Sequence, residues 1–180
     1  MEKTKIRHGV IGVLTHQDQV VFLGLPREDS LSKEAGGKGK QERVKGEQFW
    51  TLLSTGMLGF VSGGVKTSAD LEQMPIKARN EILLKSLTRE ALEEFDLGVG
   101  LDKAIVKRDG IIEQLRYDEQ ITFLLWVVSR VVIEENQILK LREKTEVVLV
   151  KETKLADFFA TEKNRIRPAA QQALITAYNL

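Results

Sequence analysis

Glu90, Glu93 and Glu94 stand at i, i+3 and i+4, a spacing that sets three carboxylates on one face of a helix. Like charges one turn apart cost a helix about 0.2–0.5 kcal/mol per pair unless something neutralises them. A divalent cation would do so, and the spacing asks for one. Arg89 comes directly before the triplet, and Glu81 lies eight residues before Arg89. An isolated glutamate triplet beside an arginine is ordinarily a solvated helix face, so the chemistry depends on what surrounds it.

The surroundings begin with the helix itself. Residues 76–97 keep helical periodicity, with Leu83, Leu87, Ala91 and Phe95 on an apolar stripe that Leu84 widens. Pro75 suits the first turn, and Gly98 and Gly100 supply a stop. Upstream, residues 49–53 and 57–61 carry the aromatic and apolar side chains of a strand that ends at Ser62-Gly63-Gly64. Residues 9–14 and 20–25 read as a β-hairpin closed by a short polar loop, with Pro26 ending its second strand. Residues 120–128 are apolar on both faces and predict a central strand covered on both sides. Short strands are expected at 104–107, 110–116 and 146–150, and one or two terminal helices from 157 to 178. Residues 28–48, rich in Lys, Glu, Ser and Gly, predict a mobile loop, and 66–73 a polar gap. Strands with helices packed on a buried sheet make an α/β or α+β domain.

Composition narrows the class. A chain of 180 residues suits one domain, and 42% apolar with 29% charged residues is ordinary for a soluble globular protein. The net charge of +1 gives no bulk field to draw nucleic acid or an anionic membrane. There is no cysteine, which removes disulfides, thiolate metal sites and cysteine nucleophiles and fits a cytoplasmic setting. The first residues lack the apolar core of a signal peptide, and the longest apolar run, 121–128, is too short to span a bilayer.

The residues around the triplet resemble the box of the Nudix (MutT-like) hydrolase family, G-x5-E-x7-R-E-U-x-E-E-x-G-U with U aliphatic. Glu81-x7-Arg89-Glu90 matches, Glu93-Glu94 follow at the same offset, and Ala91 and Leu97 fill aliphatic positions. Phe60-Val61-Ser62-Gly63-Gly64-Val65 resembles the strand and glycine pair that lead into that box, with Ser62 where the family usually carries Pro. There are two departures. The glycine pair ends 17 residues before Glu81, farther than in the box, which implies an insertion between Val65 and Arg79. The closing glycine is Asp96, at a position that needs a left-handed backbone; Asp tolerates this better than most residues, or Gly98 takes over the cap.

The resemblance implies a single domain over 1–180, an α/β/α sandwich with a mixed sheet between helices, carrying insertions at 28–48 and 66–79. It implies hydrolysis of a diphosphate bond in a nucleoside diphosphate derivative: a nucleotide sugar, ADP-ribose, a dinucleotide or a nucleoside triphosphate. The ion would be magnesium, with manganese as the alternative, held by Glu90, Glu93 and Glu94 and a carbonyl of Gly63 or Gly64. Arg89 and Glu81 would pair and hold the loop against the helix. The general base stays open among Glu90, Asp118, Glu119, Glu143 and Glu146. Arg27 is a candidate for a substrate phosphate, and Trp50, with Phe49, for stacking on a base; Trp126 reads as core. His8 and His16 carry no assignment, and Arg165 and Arg167 read as solubility or helix-boundary residues. The partner would be a small-molecule diphosphate, and a homodimer is common among relatives. Two other functions are open to a chain of this resemblance. An isomerase of the same fold needs a cysteine that this chain lacks. A non-catalytic ligand-sensing domain would ordinarily have lost box carboxylates that are retained here.

Overall fold

The computed structural model describes residues 5–25, 39–67, 69–116 and 119–180, apart from the side chains of residues 109 and 116. Strands β1 (Lys5–His16) and β2 (Gln19–Gly24) form the expected hairpin, turning on Gln17 at φ 55°. Strand β8 (Glu119–Val132) runs parallel to β1, in register from Lys5 opposite Ile121 to Gly12 opposite Val128. Alternate residues of these strands enter two separate cores. Val10, Leu14, Val21, Leu23, Trp126 and Val128 face one side, and Ile11, Val13, Val20, Phe22, Leu125 and Val127 face the other. Burial on both faces is why these runs are apolar without alternation.

The remaining strands extend this centre. They are β3 (Gln41–Val44), β4 (Thr51–Leu52), β5 (Leu58–Gly59), β6 (Val61–Gly64), β7 (Ile105–Arg116) and β9 (Val147–Lys151). The mixed sheet is ordered β4-β3-β7-β8-β1-β2-β5, with β6 paired to β1 and β9 to β2. Because β1 pairs with β2 only near the hairpin turn, β5 and β6 enter where the two strands part. The glycine pair therefore lies directly beside β1, with Gly63 opposite Val10 and Gly64 opposite Gly9.

Helices close both faces. On one side α1 (Ile76–Phe95) buries Leu83, Leu87, Ala91 and Phe95, and α2 (Glu135–Arg142) adds Ile138 and Leu141. On the other, α3 (Leu155–Glu162) contributes Leu155, and α4 (Pro168–Tyr178), with Pro at its first turn, contributes Ala169, Ala170, Ala173 and Leu174. This is the α/β/α sandwich with a mixed sheet. Each fully buried leucine contributes about 1.5–3 kcal/mol of burial. Contact with α1 is close enough that a Cβ on Gly12 would lie 2.7 Å from Leu87 Cδ2, so β1 needs glycine there. Asp96, at φ 50° and ψ 43°, ends α1 in the left-handed conformation, ahead of Gly98, and its N–H donates to the Leu92 carbonyl at 3.0 Å.

Four expectations change. The strand expected over residues 49–53 and 57–61 and ending at Gly64 is three short strands, β4, β5 and β6, paired with β3, β2 and β1. Residues 41–44, read as part of a mobile loop, are strand β3, paired with β7 from Gln41 opposite Leu115 to Val44 opposite Ile112. The two strands expected at 104–107 and 110–116 are one strand, continuous through an irregularity between Arg108 and Ile111. Helix α2 was not foreseen, although Gln137 Oε1 accepts from the Glu134 N–H at 2.9 Å, as in a capping box. The irregular segment before α1 is pinned by Leu71, which is fully buried. Arg27, Pro26, Asp118 and residues 28–38 lie outside the described residues. Among the described residues no helix is long and apolar enough to cross a membrane.

Candidate active site

Strand β6 and helix α1 meet at one point. A Cβ on Gly63 would fall 2.2 Å from Glu90 Cδ and 2.5 Å from its Cγ and Oε1. The Glu90 side chain, 15% exposed, thus lies on bare glycine backbone. Arg89 sits across this contact. Its Nη2 donates to Glu90 Oε1 at 2.7 Å and to the Gly64 carbonyl at 3.2 Å, and its Nε lies 3.9 Å from Glu93 Oε1. The guanidinium therefore joins the helix to the glycine strand and neutralises part of the charge crowding that the sequence raised. It does so in place of the expected Arg89–Glu81 pair. In an unbroken helix eight residues rise about 12 Å, too far for that pair, and Glu81 is exposed.

One turn beyond Glu90, Glu94 lines a cavity of about 230 Å³ together with Ser62, Gly63 and Gly64. Arg7 and Lys40 line it too, as do Val10, Ile112, Phe123 and Leu125. The cavity thus has an acidic, glycine-backed wall, a cationic contribution and an apolar lining. Glu42, Gln114 and Arg167 line it as well. Glu42, on β3, is wholly buried and pairs with Arg167, itself 6% exposed, at the N-terminus of α4. Arg167 donates through Nε at 2.9 Å and through Nη2 to Glu42 Oε1, Gln114 Nε2 donates to the same oxygen at 2.7 Å, and the Ala169 N–H reaches Oε2 at 3.5 Å. Burial by itself raises the Glu42 carboxyl, but the charge and hydrogen bonds of Arg167, with Gln114 and Lys40, outweigh it and hold the group below its ordinary value. Arg167 stands at the helix boundary expected of it, as the N-cap residue of α4, but it is not a surface residue serving solubility; it is one half of a buried ion pair.

The donors fit a hard divalent cation in kind, being carboxylates and backbone carbonyls. They are not gathered as a ready cage. Among the described residues no three His, Asp or Glu groups converge, since Glu90 is tied to Arg89 and Glu93 is 62% exposed. Arg89 Nε is buried without a hydrogen-bond partner, so a small approach of Glu93 would satisfy it.

Other candidates stand apart from this cavity. Glu119 pairs with Lys5 at 3.6 Å, Glu146 with Arg165 at 2.9 Å, and Glu143 is exposed at the end of α2. Trp50 lies under the Arg43 guanidinium, 4.2 Å from its ring centroid, and Phe49 is 80% exposed. Trp126 is core, but its Nε1–H donates to His8 Nδ1 at 3.1 Å. Arg7, Lys40, Glu42, Gln114 and Arg167 had no place in the expected site. Their contacts join strands and a helix far apart in sequence, and no local pattern announces them.

No family model matches the chain, and no curated protein does. Among solved structures the chain is similar to a Nudix hydrolase from Nitrosomonas europaea, at 12% identity and a TM-score of 0.45 over 98% of this chain and 90% of that one. It is similar to a mutant of the Bacillus subtilis pyrophosphohydrolase BsRppH, at 12% identity and a TM-score of 0.36 over 84% and 67%. It is also similar to the ORF135 protein of E. coli, at 12% identity and a TM-score of 0.42 over 99% and 96%.

Proposed function

We propose that the chain is a Nudix-type pyrophosphohydrolase that cleaves a diphosphate bond in a nucleoside diphosphate derivative with the help of magnesium. The observation that carries the reading is one cavity bordered by Glu94 and the glycine pair and also by Arg7 and Lys40. A diphosphate ester needs both kinds of group, cations for its oxygens and carboxylates for a counter-ion. Glu90, Glu93 and Glu94 would hold the ion, with the carbonyl of Gly63 or Gly64. When bound, magnesium offsets charge developing on the phosphoryl group and acidifies a coordinated water.

The side chains have separable roles in this reading. Arg7 and Lys40 draw the phosphates into the cavity. Arg89 orients Glu90 and the Gly64 carbonyl without touching substrate. Proton removal from the attacking water is assigned to Glu90, because it rests on Gly63 at the cavity wall. Glu119 and Glu143 remain weaker bases, since Glu119 pairs with Lys5 and Glu143 is exposed at the end of α2, whereas Glu90 lies against the lining residue Gly63. Manganese would serve the same oxygen ligands.

The absence of a converged triad among the described residues gives a second reading, a ligand-binding domain without turnover. The two are separated by phosphate or nucleoside monophosphate release from ADP-ribose, nucleotide sugars, dinucleotides and nucleoside triphosphates, with and without magnesium. Hydrolysis of at least one substrate class that requires the metal supports the enzyme. No turnover, together with a melting temperature that magnesium leaves unchanged, supports the binding domain.

A further inference from the structure

The Glu42 network does more than fasten α4 to β3. A carboxylate held in its charged form has no proton to donate, so the Gln114 amide must turn its nitrogen toward Glu42. That bond, 2.7 Å long, fixes which way the amide faces. The Gln114 carbonyl oxygen is left without a partner among the described residues, on a half-buried side chain that lines the cavity. Glu42 is itself immobilised by the Arg167 guanidinium and by the start of α4. Nearby, the Phe123 ring leans over Gly9, where an added Cβ would lie 3.2 Å from Phe123 Cδ1, and both residues line the same cavity. The cavity therefore offers an aromatic side chain and an oriented acceptor within the same lining as Arg7 and Lys40.

We propose that Gln114, locked by the buried Glu42–Arg167 pair, is a specificity-determining residue. Its amide oxygen accepts from an exocyclic amino group on a planar heterocycle that lies beside Phe123. The proposal deepens the hydrolase reading and rests on it for the identity of the attached diphosphate. It selects amino-bearing bases over deaminated ones, because a base without the donor leaves the desolvated amide oxygen unpaired.

The test is calorimetric binding of nucleoside monophosphates, which contain no diphosphate bond to cleave, to the whole chain in magnesium. Two matched pairs isolate the amino group: GMP against IMP, and AMP against purine riboside 5′-monophosphate. In at least one pair the amino-bearing member should bind about tenfold more tightly, the size expected of one neutral hydrogen bond. Gln114→Met, which keeps the volume and removes the amide, should close that gap. If Gln114→Met does not fold cooperatively, Gln114→Asn, which withdraws the amide by one carbon, should narrow it. Equal affinities within both pairs, a gap that survives in the variant, or no monophosphate binding at all would overturn the proposal. Failure of the hydrolase reading looks different: no diphosphate is turned over while amino discrimination persists. Failure of this subsite alone leaves turnover with equal kcat/KM across bases.

Discussion

Replacing Gly63 by alanine tests the contact on which the active-site reading turns. The new Cβ would stand 2.2 Å from Glu90 Cδ and 2.5 Å from Cγ, whereas carbon atoms settle about 3.5–4.0 Å apart. The carboxyl carbon must therefore retreat by about 1.3–1.8 Å. Because Cγ is also too close, rotating the carboxylate alone gives no relief, and the whole side chain must leave β6. The Arg89–Glu90 hydrogen bond at 2.7 Å goes with it, at a cost of about 1–2 kcal/mol. Alanine recovers about 0.4–1 kcal/mol by restricting the unfolded chain. Net destabilisation should be about 1 kcal/mol, a fall of about 2–4 °C in Tm for a chain of this size. Activity should drop far more, since misplacing a reacting group by about 1 Å costs about a hundredfold. The assay pairs urea unfolding with magnesium-dependent phosphate release. In a Glu90→Ala background the clash is gone, so adding Gly63→Ala should cost little further in either measurement. A Gly63→Ala protein with near-native kcat/KM would refute the placing of Glu90 in the machinery.

Other expectations can be checked alongside. Glu94→Gln removes a charge and keeps the shape, so turnover should fall by orders of magnitude in a chain that still unfolds cooperatively in urea; wild-type turnover would contradict the ligand role. The folded-state pKa of Glu42 is depressed below its ordinary 4.5, so its contribution is complete above that value and is lost as pH falls through the folded pKa. Urea midpoints measured between about pH 6 and pH 3 should fall more steeply for wild type than for Glu42→Gln/Arg167→Met, and parallel curves would argue against the pair. Glu42→Ala, which removes the carboxylate that pairs with the buried Arg167 guanidinium, should cost about 3–5 kcal/mol by the same measurement. Leu87→Ala opens a cavity over Gly12, which has no side chain to fill it, and should cost about 2–5 kcal/mol in equilibrium unfolding.

Legibility followed the range of the interactions. Helix α1 could be read because its apolar stripe repeats within the element and ends at Asp96, whose left-handed conformation the residue type allows. The central strands could be read because burial on both faces leaves an apolar run. Strand β3 was hidden because its one fully buried side chain, Glu42, is a carboxylate, and inward charge imitates a loop in any hydrophobicity pattern. Its partner Arg167 lies 125 residues away, so nothing near either residue hints that each makes the other's burial affordable. The acidic side of the candidate site lies within one helix and one strand, which is why local spacing alone could propose it. Arg7 and Lys40 come from other segments, and the fold alone brings them to the cavity.

Arg89 shows why the charge argument is weaker than the geometric one. Three glutamates on a helix face do call for a positive partner, but the structure supplies one from the neighbouring position. Charge crowding alone is therefore no proof of a metal, and a solvated face bearing a helpful arginine would satisfy it equally. The difference lies in Gly63. A solvated glutamate has no need of a bare backbone in front of it, yet Glu90 occupies space that any other residue at 63 would fill. Arg89 also binds the Gly64 carbonyl, so one guanidinium orients the Glu90 carboxylate, which lies against Gly63, and a backbone oxygen of the next residue, both glycines lining the cavity. That arrangement brings two hard oxygen donors together from separate elements, which charge compensation on the helix surface would not require.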